Sequence, residues 1–165
     1  MHILHMAGLV TALASSTLFG PPHITVRPIA SPAGVTSIEL DVEHHTQPED
    51  LAVAGRAEGV RDGQRVSLPL TITRRALGKF VVTRQWEVNR PWVLVFSAEQ
   101  GPNGAHGVVE AVVALDASGT VKFIEYTTPG FVKGIGTPTR LAREKVDAAL
   151  MSLGVRLPNG PAATR

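Results

Sequence analysis

The chain has 165 residues, a length that suits one domain with a single core. Its 16 Lys and Arg against 14 Asp and Glu give a net charge of +2, without the basic excess of a dedicated nucleic-acid binder, so no nucleic-acid partner is expected. Cysteine is absent, which excludes disulfides, thiolate zinc sites, iron–sulfur clusters and cysteine nucleophiles.

The first segment of the chain is typical of an export signal. No Lys, Arg, Asp or Glu occurs in residues 1–26, and residues 3–19 are mostly apolar. A secretory signal joins such a run to small residues at its cleavage point, and residues 12–20 supply several. We expect residues 1–20 to be a signal peptide or a membrane tether, and residues 21–157 to form one domain in the periplasm or outside the cell. The alternative is a cytosolic domain whose first buried element is this segment.

Alternating polar and apolar residues predict strands through the middle of the chain. The predicted strands are residues 24–29, 37–45, 51–60, 66–73, 80–88, 92–96, 108–115 and 120–126. Pro69 cannot donate to a strand ladder, so its strand should lie at a sheet edge or contain a bulge. The strand that starts at Trp92 is apolar on both faces and should be central, with both sides covered. Residues 61–64 and 116–119 have the Asp and Gly pattern of hairpin turns.

The sequence period changes near the C-terminus. Apolar residues then recur at intervals of three and four and predict an amphipathic helix over residues 138–153, with Thr137 as N-cap and Gly154 as the stop signal. The glycine-rich residues 130–136 lack the phosphate-binding Gly-Lys-Ser/Thr ending and are predicted to be a flexible connection. Residues 158–165 should form a flexible tail.

These elements together predict the fold class. About eight short strands with turns every few residues, followed by one helix, are typical of a mainly β protein. We therefore expect an immunoglobulin-like β-sandwich of about eight strands with one C-terminal α-helix. The alternation places Trp86 and Trp92 inside this sandwich as core anchors, whereas a carbohydrate-binding platform would need them exposed.

Histidine is the metal-capable residue of this chain. Adjacent strand residues point to opposite faces, so His44 and His45 cannot easily hold one ion together. His45 instead shares a predicted face with Glu43 and the acids before it, a set of oxygen and nitrogen donors that suits copper or zinc. The candidate metal ligands are His44, His45, Glu43 and His106, with His23 as a further possibility. The alternative is that these are ordinary surface and strand-end histidines.

Charge is unevenly distributed along the sequence. Residues 28–55 contain five acids and no base, whereas residues 56–90 contain eight bases and three acids. One interpretation is a basic surface centred on Arg74, Arg75 and Arg84 that attracts an anionic partner such as a lipid headgroup, a cell-wall polymer or an acidic protein. The alternative is that acidic and basic strands pair with each other in weak surface ion pairs.

A short stretch carries a family resemblance. Gly78-Lys79-Phe80, followed by Trp86 and then by Trp92 after Pro91, resembles the closing hairpin of exported immunoglobulin-like modules of the YtkA-like kind. In that group a Gly-x-Tyr/Phe begins one strand and a Gly-x-Trp begins the next. The resemblance implies a fold and a compartment and does not imply a reaction.

Common enzyme motifs are absent from the sequence: there is no G-x-S-x-G elbow, H-E-x-x-H pair, Walker loop or dinucleotide fingerprint. We expect a non-catalytic, exported β-sandwich that binds or supports an extracytoplasmic protein or a cell-envelope component. One alternative is a periplasmic copper- or zinc-binding protein that uses the histidines above. Another is a small hydrolase whose acid and base are carboxylates of residues 39–50.

Overall fold

The computed structural model describes residues 22–44, 51–101, 107–127, 130–132, 135–137 and 140–158. Within these ranges the elements are, in chain order, β1 (His23–Ser31), β2 (Gly34–Glu43), β3 (Leu51–Arg61), β4 (Gln64–Pro69), β5 (Thr73–Ala76), β6 (Lys79–Thr83), β7 (Trp92–Gln100), β8 (Gly107–Leu115), β9 (Val121–Tyr126), β10 (Gly130–Val132), β11 (Ile135–Thr137) and α1 (Arg143–Ser152). No helix in the described ranges is both long enough and apolar enough to cross a membrane.

Two antiparallel sheets pack face to face. The smaller sheet has the order β1-β2-β6-β5 and the larger sheet the order β4-β3-β7-β8-β9. This is the strand order of immunoglobulin domains, ABED on one sheet and CFG on the other, with β4 and β9 added at the edges of the second sheet. The predicted mainly β sandwich with one C-terminal helix is confirmed. β7 is central and β4, which ends at Pro69, is an edge strand, as the sequence predicts.

The core between the sheets is apolar and depends on two glycines of β3. Trp92 and Phe96 of β7 point toward the smaller sheet and are fully buried. A Cβ atom on Gly59 would lie 2.8 Å from Cε3 of Trp92, and one on Gly55 would lie 2.9 Å from Cδ1 of Phe96. Both distances are shorter than real Cβ contacts, so β3 needs glycine where the aromatic rings of β7 cross it.

The opposite face of the larger sheet is covered by α1. Val93 and Val95 of β7 pack there against Val146 and Leu150 of the helix. The next strand, β8, contributes to both faces, and each of its residues is buried. The alternation along the strands therefore separates two cores, one between the sheets and one under the helix.

The helix is shorter than the sequence predicts. It begins after an N-cap at Ala142 and not at Thr137, because Ala142 is extended and the backbone N–H of Leu141 donates to the carboxylate of Glu110 on β8. Its end agrees with the prediction, since Gly154 follows the last turn with a φ of 80°.

Other predicted elements also differ from the structure. The strand predicted over residues 66–73 ends at Pro69, and Thr73 begins a separate strand, β5, in the smaller sheet. The strand predicted over residues 80–88 ends at Thr83, and beyond it the side-chain amide of Gln85 forms hydrogen bonds with the backbone N–H and carbonyl of Thr71. Trp86 is nevertheless buried, as expected. The predicted flexible connection at residues 130–136 contains the short hairpin of β10 and β11.

The hairpin turns agree with the predictions. Asp62 and Gly63 both have positive φ, 52° and 73°, which is the signature of a type I′ turn between β3 and β4. Gly119 closes the turn between β8 and β9 with a φ of 78°. These turns set the registers of the two hairpins and hence which side chains share a face.

Candidate functional site

One end of the sandwich brings together several residues singled out by the sequence. His23, at the start of β1, is the register partner of Glu43, at the end of β2. The turn between β5 and β6 is fixed beside them, since the N–H of Val42 donates to the carbonyl of Gly78 at 2.8 Å. A Cβ atom at position 78 would lie 2.5 Å from the Val42 carbonyl oxygen, and the φ there is +66°, so only glycine fits this close approach.

We call this region the His23 end and define it by His23, Glu43, His44, Leu77 and Lys79. It contains an open cavity of about 350 Å³, which these five residues line together with Val42 and Gly78. Leu77 is 55% exposed. The lining thus combines two imidazoles, a carboxylate, an ammonium group and an exposed apolar side chain.

Glu43 and His44 differ in exposure, although both border the cavity. Glu43 is exposed, whereas His44 is buried and its Nδ1 lies 3.4 Å from Nε2 of Gln100, the last residue of β7. The amide oxygen Oε1 of Gln100 is buried and has no hydrogen-bond partner among the described residues. In the larger sheet, Gln100 is paired with Leu51 of β3 on one side and with Gly107 of β8 on the other. The ends of β3, β7 and β8 therefore lie next to the end of β2.

The predicted metal ligands are only partly brought together. Glu43 and His44 both line the cavity, and His23 lies across from Glu43. His45 and His106 lie outside the described residues. In the ranges that the structure describes, no three His, Asp or Glu side chains form a group that could hold a metal ion.

The acids predicted to share the outer face of β2 form cross-strand ion pairs. Asp41 lies between Arg27 of β1 and Lys79 of β6 and pairs with both. Glu39 is exposed and is 4.0 Å from Arg27. This arrangement supports the ion-pairing interpretation of the acidic strand and gives no support to a hydrolase in which these carboxylates converge. Glu49 and Asp50 of that hypothesis lie outside the described residues.

The structure separates the three arginines of the predicted basic surface. Arg74 and Arg75 are exposed on β5, close to Leu77. Arg84 follows the far end of β6, where its guanidinium donates to the carbonyls of Ala33 at 3.2 Å and Val35 at 3.5 Å. Arg74 and Arg75 therefore lie beside the His23 end, and Arg84 supports the opposite end of the sandwich.

Sequence reasoning missed two buried carboxylates on the helix-covered face of the larger sheet. Glu58 of β3 is 7% exposed, and its carboxylate accepts from Arg56 at 3.1 Å and from the hydroxyl of Ser67 at 2.9 Å. Arg65 approaches the other oxygen of Glu58 at 3.5 Å and also pairs with Asp147 of the helix. The detectable signal was a glutamate in the middle of a strand that is otherwise largely apolar or small.

Glu110 of β8 is the second of these carboxylates and is only 2% exposed. One oxygen accepts from the backbone N–H of Leu141 and the other lies 4.0 Å from Arg56. Nearby, Arg140 donates two hydrogen bonds to Glu99, at 2.8 and 3.0 Å, and this pairing raises the pKa of Arg140. These contacts attach the C-terminal segment to the sheet, so we assign these carboxylates a structural role.

The turn between β8 and β9 contains a carboxylate whose protonation is shifted. Asp116 accepts from the hydroxyl of Ser118 at 2.6 Å and from the backbone N–H groups of Ser118 and Thr120. The hydrogen bond from the Ser118 side chain is the main reason why the pKa of Asp116 lies below its ordinary value of 3.8. Its role is to fix the turn.

No family model, curated protein or solved structure matches this chain. The resemblance to YtkA-like modules therefore stays a prediction. The class of protein rests on the fold itself, an immunoglobulin-like sandwich with a helix packed on its larger sheet.

Proposed function

We propose that this protein is a non-catalytic, exported binding or accessory module that acts on another extracytoplasmic component through the His23 end. The observation that carries the proposal is the distribution of polar groups. The buried carboxylates, Glu58 and Glu110, are engaged in contacts that hold the helix. At the His23 end, in contrast, titratable residues line an open cavity and two exposed arginines lie beside it.

Export is supported by the sequence ahead of β1. An apolar run without charged residues leads directly into the first strand. The test is a fusion of residues 1–22 to an alkaline phosphatase that lacks its own leader, because that enzyme needs disulfides that form outside the cytoplasm. We expect an active enzyme, and an inactive one after Leu9→Asp and Leu13→Asp together. Equal inactivity of both fusions would contradict export.

The non-catalytic part of the proposal is tested with the purified protein and panels of hydrolase and oxidoreductase substrates. We expect no turnover above that of a heat-denatured sample. Turnover that disappears in His44→Ala or Glu43→Gln, while the variant keeps its circular dichroism spectrum, would replace the proposal with an enzyme of that reaction class.

A second candidate function is the binding of copper or zinc in the periplasm. It is favoured by the cavity, where His23 and Glu43 are register partners on the paired strands β1 and β2 and His44 borders the same space. Calorimetric titration with Cu²⁺ and Zn²⁺ tests it. We expect a Kd below about 1 μM in this case, with weaker binding in the variants His23→Ala, Glu43→Gln, His44→Ala, His45→Ala and His106→Ala.

The matched control for these variants is Glu39→Gln, which removes an exposed acid from the same strand outside the cavity. Metal binding that is equal in the wild type and all histidine variants would remove the metal hypothesis. Binding weaker than about 1 μM would do the same.

A further inference from the structure

The turn between β5 and β6 has an unusual exposed composition. Residues 73–79 contain three bases and no acid, and the turn places Leu77 at its tip. Leu77 is 55% exposed, and Arg74 and Arg75 beside it are exposed as well. Neither arginine forms an ion pair with any described acid. An apolar tip flanked by free cations is the composition of a segment that meets an anionic lipid surface.

The same end of the sandwich receives the N-terminal part of the chain. β1 begins at His23, only four residues after the apolar run of residues 3–19. Four residues span at most about 14 Å when fully extended. β6 lies two strands away from β1 in the smaller sheet, which is a distance of about 10 Å. A membrane that holds residues 3–19 therefore lies within reach of the β5–β6 turn.

From these two observations we propose that the tip formed by Arg74, Arg75 and Leu77 docks on the anionic surface of the membrane that holds the N-terminal segment. The guanidinium groups contact lipid phosphates and the Leu77 side chain enters the headgroup region. This inference rests on the proposed function in the case where residues 3–19 remain in the membrane as a tether. It identifies the cell-envelope component that the module binds as the membrane itself.

The neighbouring acids set the strength of the contact. Asp41 is paired with both Arg27 and Lys79, so it contributes little negative potential. Two exposed acids oppose docking: Glu43, which borders the cavity at this end, and Glu39, which lines a groove together with Arg75. Each basic residue close to an anionic membrane contributes an attraction equivalent to a factor of about five in the docking equilibrium.

The absence of cysteine from the chain makes a site-specific test direct. The full chain is prepared as Leu77→Cys, labelled with an environment-sensitive fluorophore, and incorporated into vesicles of phosphatidylcholine with or without phosphatidylglycerol. The control is Val88→Cys, which is 50% exposed in the loop that leads to β7 at the opposite end. We expect the label at position 77 to move to an apolar environment only in anionic vesicles, and the label at position 88 to stay in water.

Charge variants in the Leu77→Cys background complete the test. Arg74→Gln with Arg75→Gln should lower the ratio of docked to undocked label about 25-fold, and Glu43→Gln should raise it about 5-fold. Equal signals at positions 77 and 88, or a signal at 77 that ignores lipid charge, would overturn the proposal. The same signal from soluble polyglutamate without vesicles would overturn it in favour of an acidic protein partner.

These outcomes are separate from the fate of the proposed function. Loss of the vesicle response leaves export intact, because the phosphatase fusion measures export without the domain. An inactive fusion, in contrast, defeats the proposed function whatever the vesicles show.

Discussion

The two faces of the larger sheet are covered by different chemistry. The face toward the smaller sheet is apolar, with Trp92 and Phe96 of β7 packed over the glycines of β3. The face toward α1 combines a small apolar cluster with the buried carboxylates Glu58 and Glu110 and their arginine partners. Apolar area contributes roughly in proportion to its extent and without direction, whereas hydrogen bonds and ion pairs fix orientation. The comparison indicates that the first face supplies most of the stability and the second positions the helix.

The largest expected effect tests the apolar face. Trp92→Ala should lower the free energy of unfolding by about 3–5 kcal/mol, because it empties the space beneath Gly59. Trp92→Phe keeps a ring but loses the hydrogen bond from Nε1 to the carbonyl of Glu87, and should cost about 1–2 kcal/mol. Denaturant unfolding measures both. A loss below about 1 kcal/mol for Trp92→Ala would mean that this face does not dominate stability.

A smaller and more local effect is expected on the helix-covered face. Glu110→Ala leaves the N–H of Leu141 and the guanidinium of Arg56 without the Glu110 carboxylate. It should lower the free energy of unfolding by about 2 kcal/mol. Hydrogen exchange should show faster exchange in α1 than between the sheets. Glu125→Ala, an exposed acid of β9 near the same helix, is the control and should change stability by less than about 0.5 kcal/mol. If Glu110→Ala accelerated hydrogen exchange equally in α1 and in the strands between the sheets, the idea that this face mainly positions the helix would be contradicted.

The ion pair between sheet and helix sharpens the comparison further. A double-mutant cycle on Arg65 and Asp147, both partly buried, should give a coupling free energy of about 1 kcal/mol. The matched pair is Arg61 and Glu87, whose side chains are each about 40% exposed, and its coupling should fall below about 0.5 kcal/mol. Equal couplings would indicate that burial beside the helix adds nothing to the pair.

The smallest effect is expected at a turn outside both faces. Asp116→Ala should lower the free energy of unfolding by about 0.5 kcal/mol at neutral pH, because the hydrogen bonds from Ser118 and Thr120 are lost. The pKa of Asp116 is lowered in the folded state, so its contribution is complete above the ordinary value of 3.8 and disappears as the pH falls through the lowered pKa. Urea midpoints of wild type and variant should therefore converge in acid. A difference that persists there would show that the charge is not the cause.

The sequence was a good guide where local chemistry decides structure. The alternation in β2, the Asp-Gly turn after β3 and the apolar run at Trp92 are read from neighbours in the chain, and each of these predictions agrees with the structure. Local signals failed where distant contacts intervene. β6 ends early, where the side chain of Gln85 donates a hydrogen bond to the backbone carbonyl of Thr71. The helix starts late, where the backbone N–H of Leu141 donates to the carboxylate of Glu110.

The candidate site shows the same division. The sequence identified Glu43, His44, Arg74 and Arg75 as residues of interest from residue type and spacing alone. That Leu77 joins them, and that Arg84 does not, follows from the pairing of β2 with β6 and from the contact between Val42 and Gly78.

The sequence by itself determined the class of fold, the apolar segment that precedes the domain and the alternation that selects core residues, because these depend on side-chain type and on periods of two and of three to four. Only the tertiary structure decided which carboxylates are buried under the helix and which charged side chains share the His23 end. Both depend on strand order and register, which join residues far apart in the chain and which no local pattern specifies.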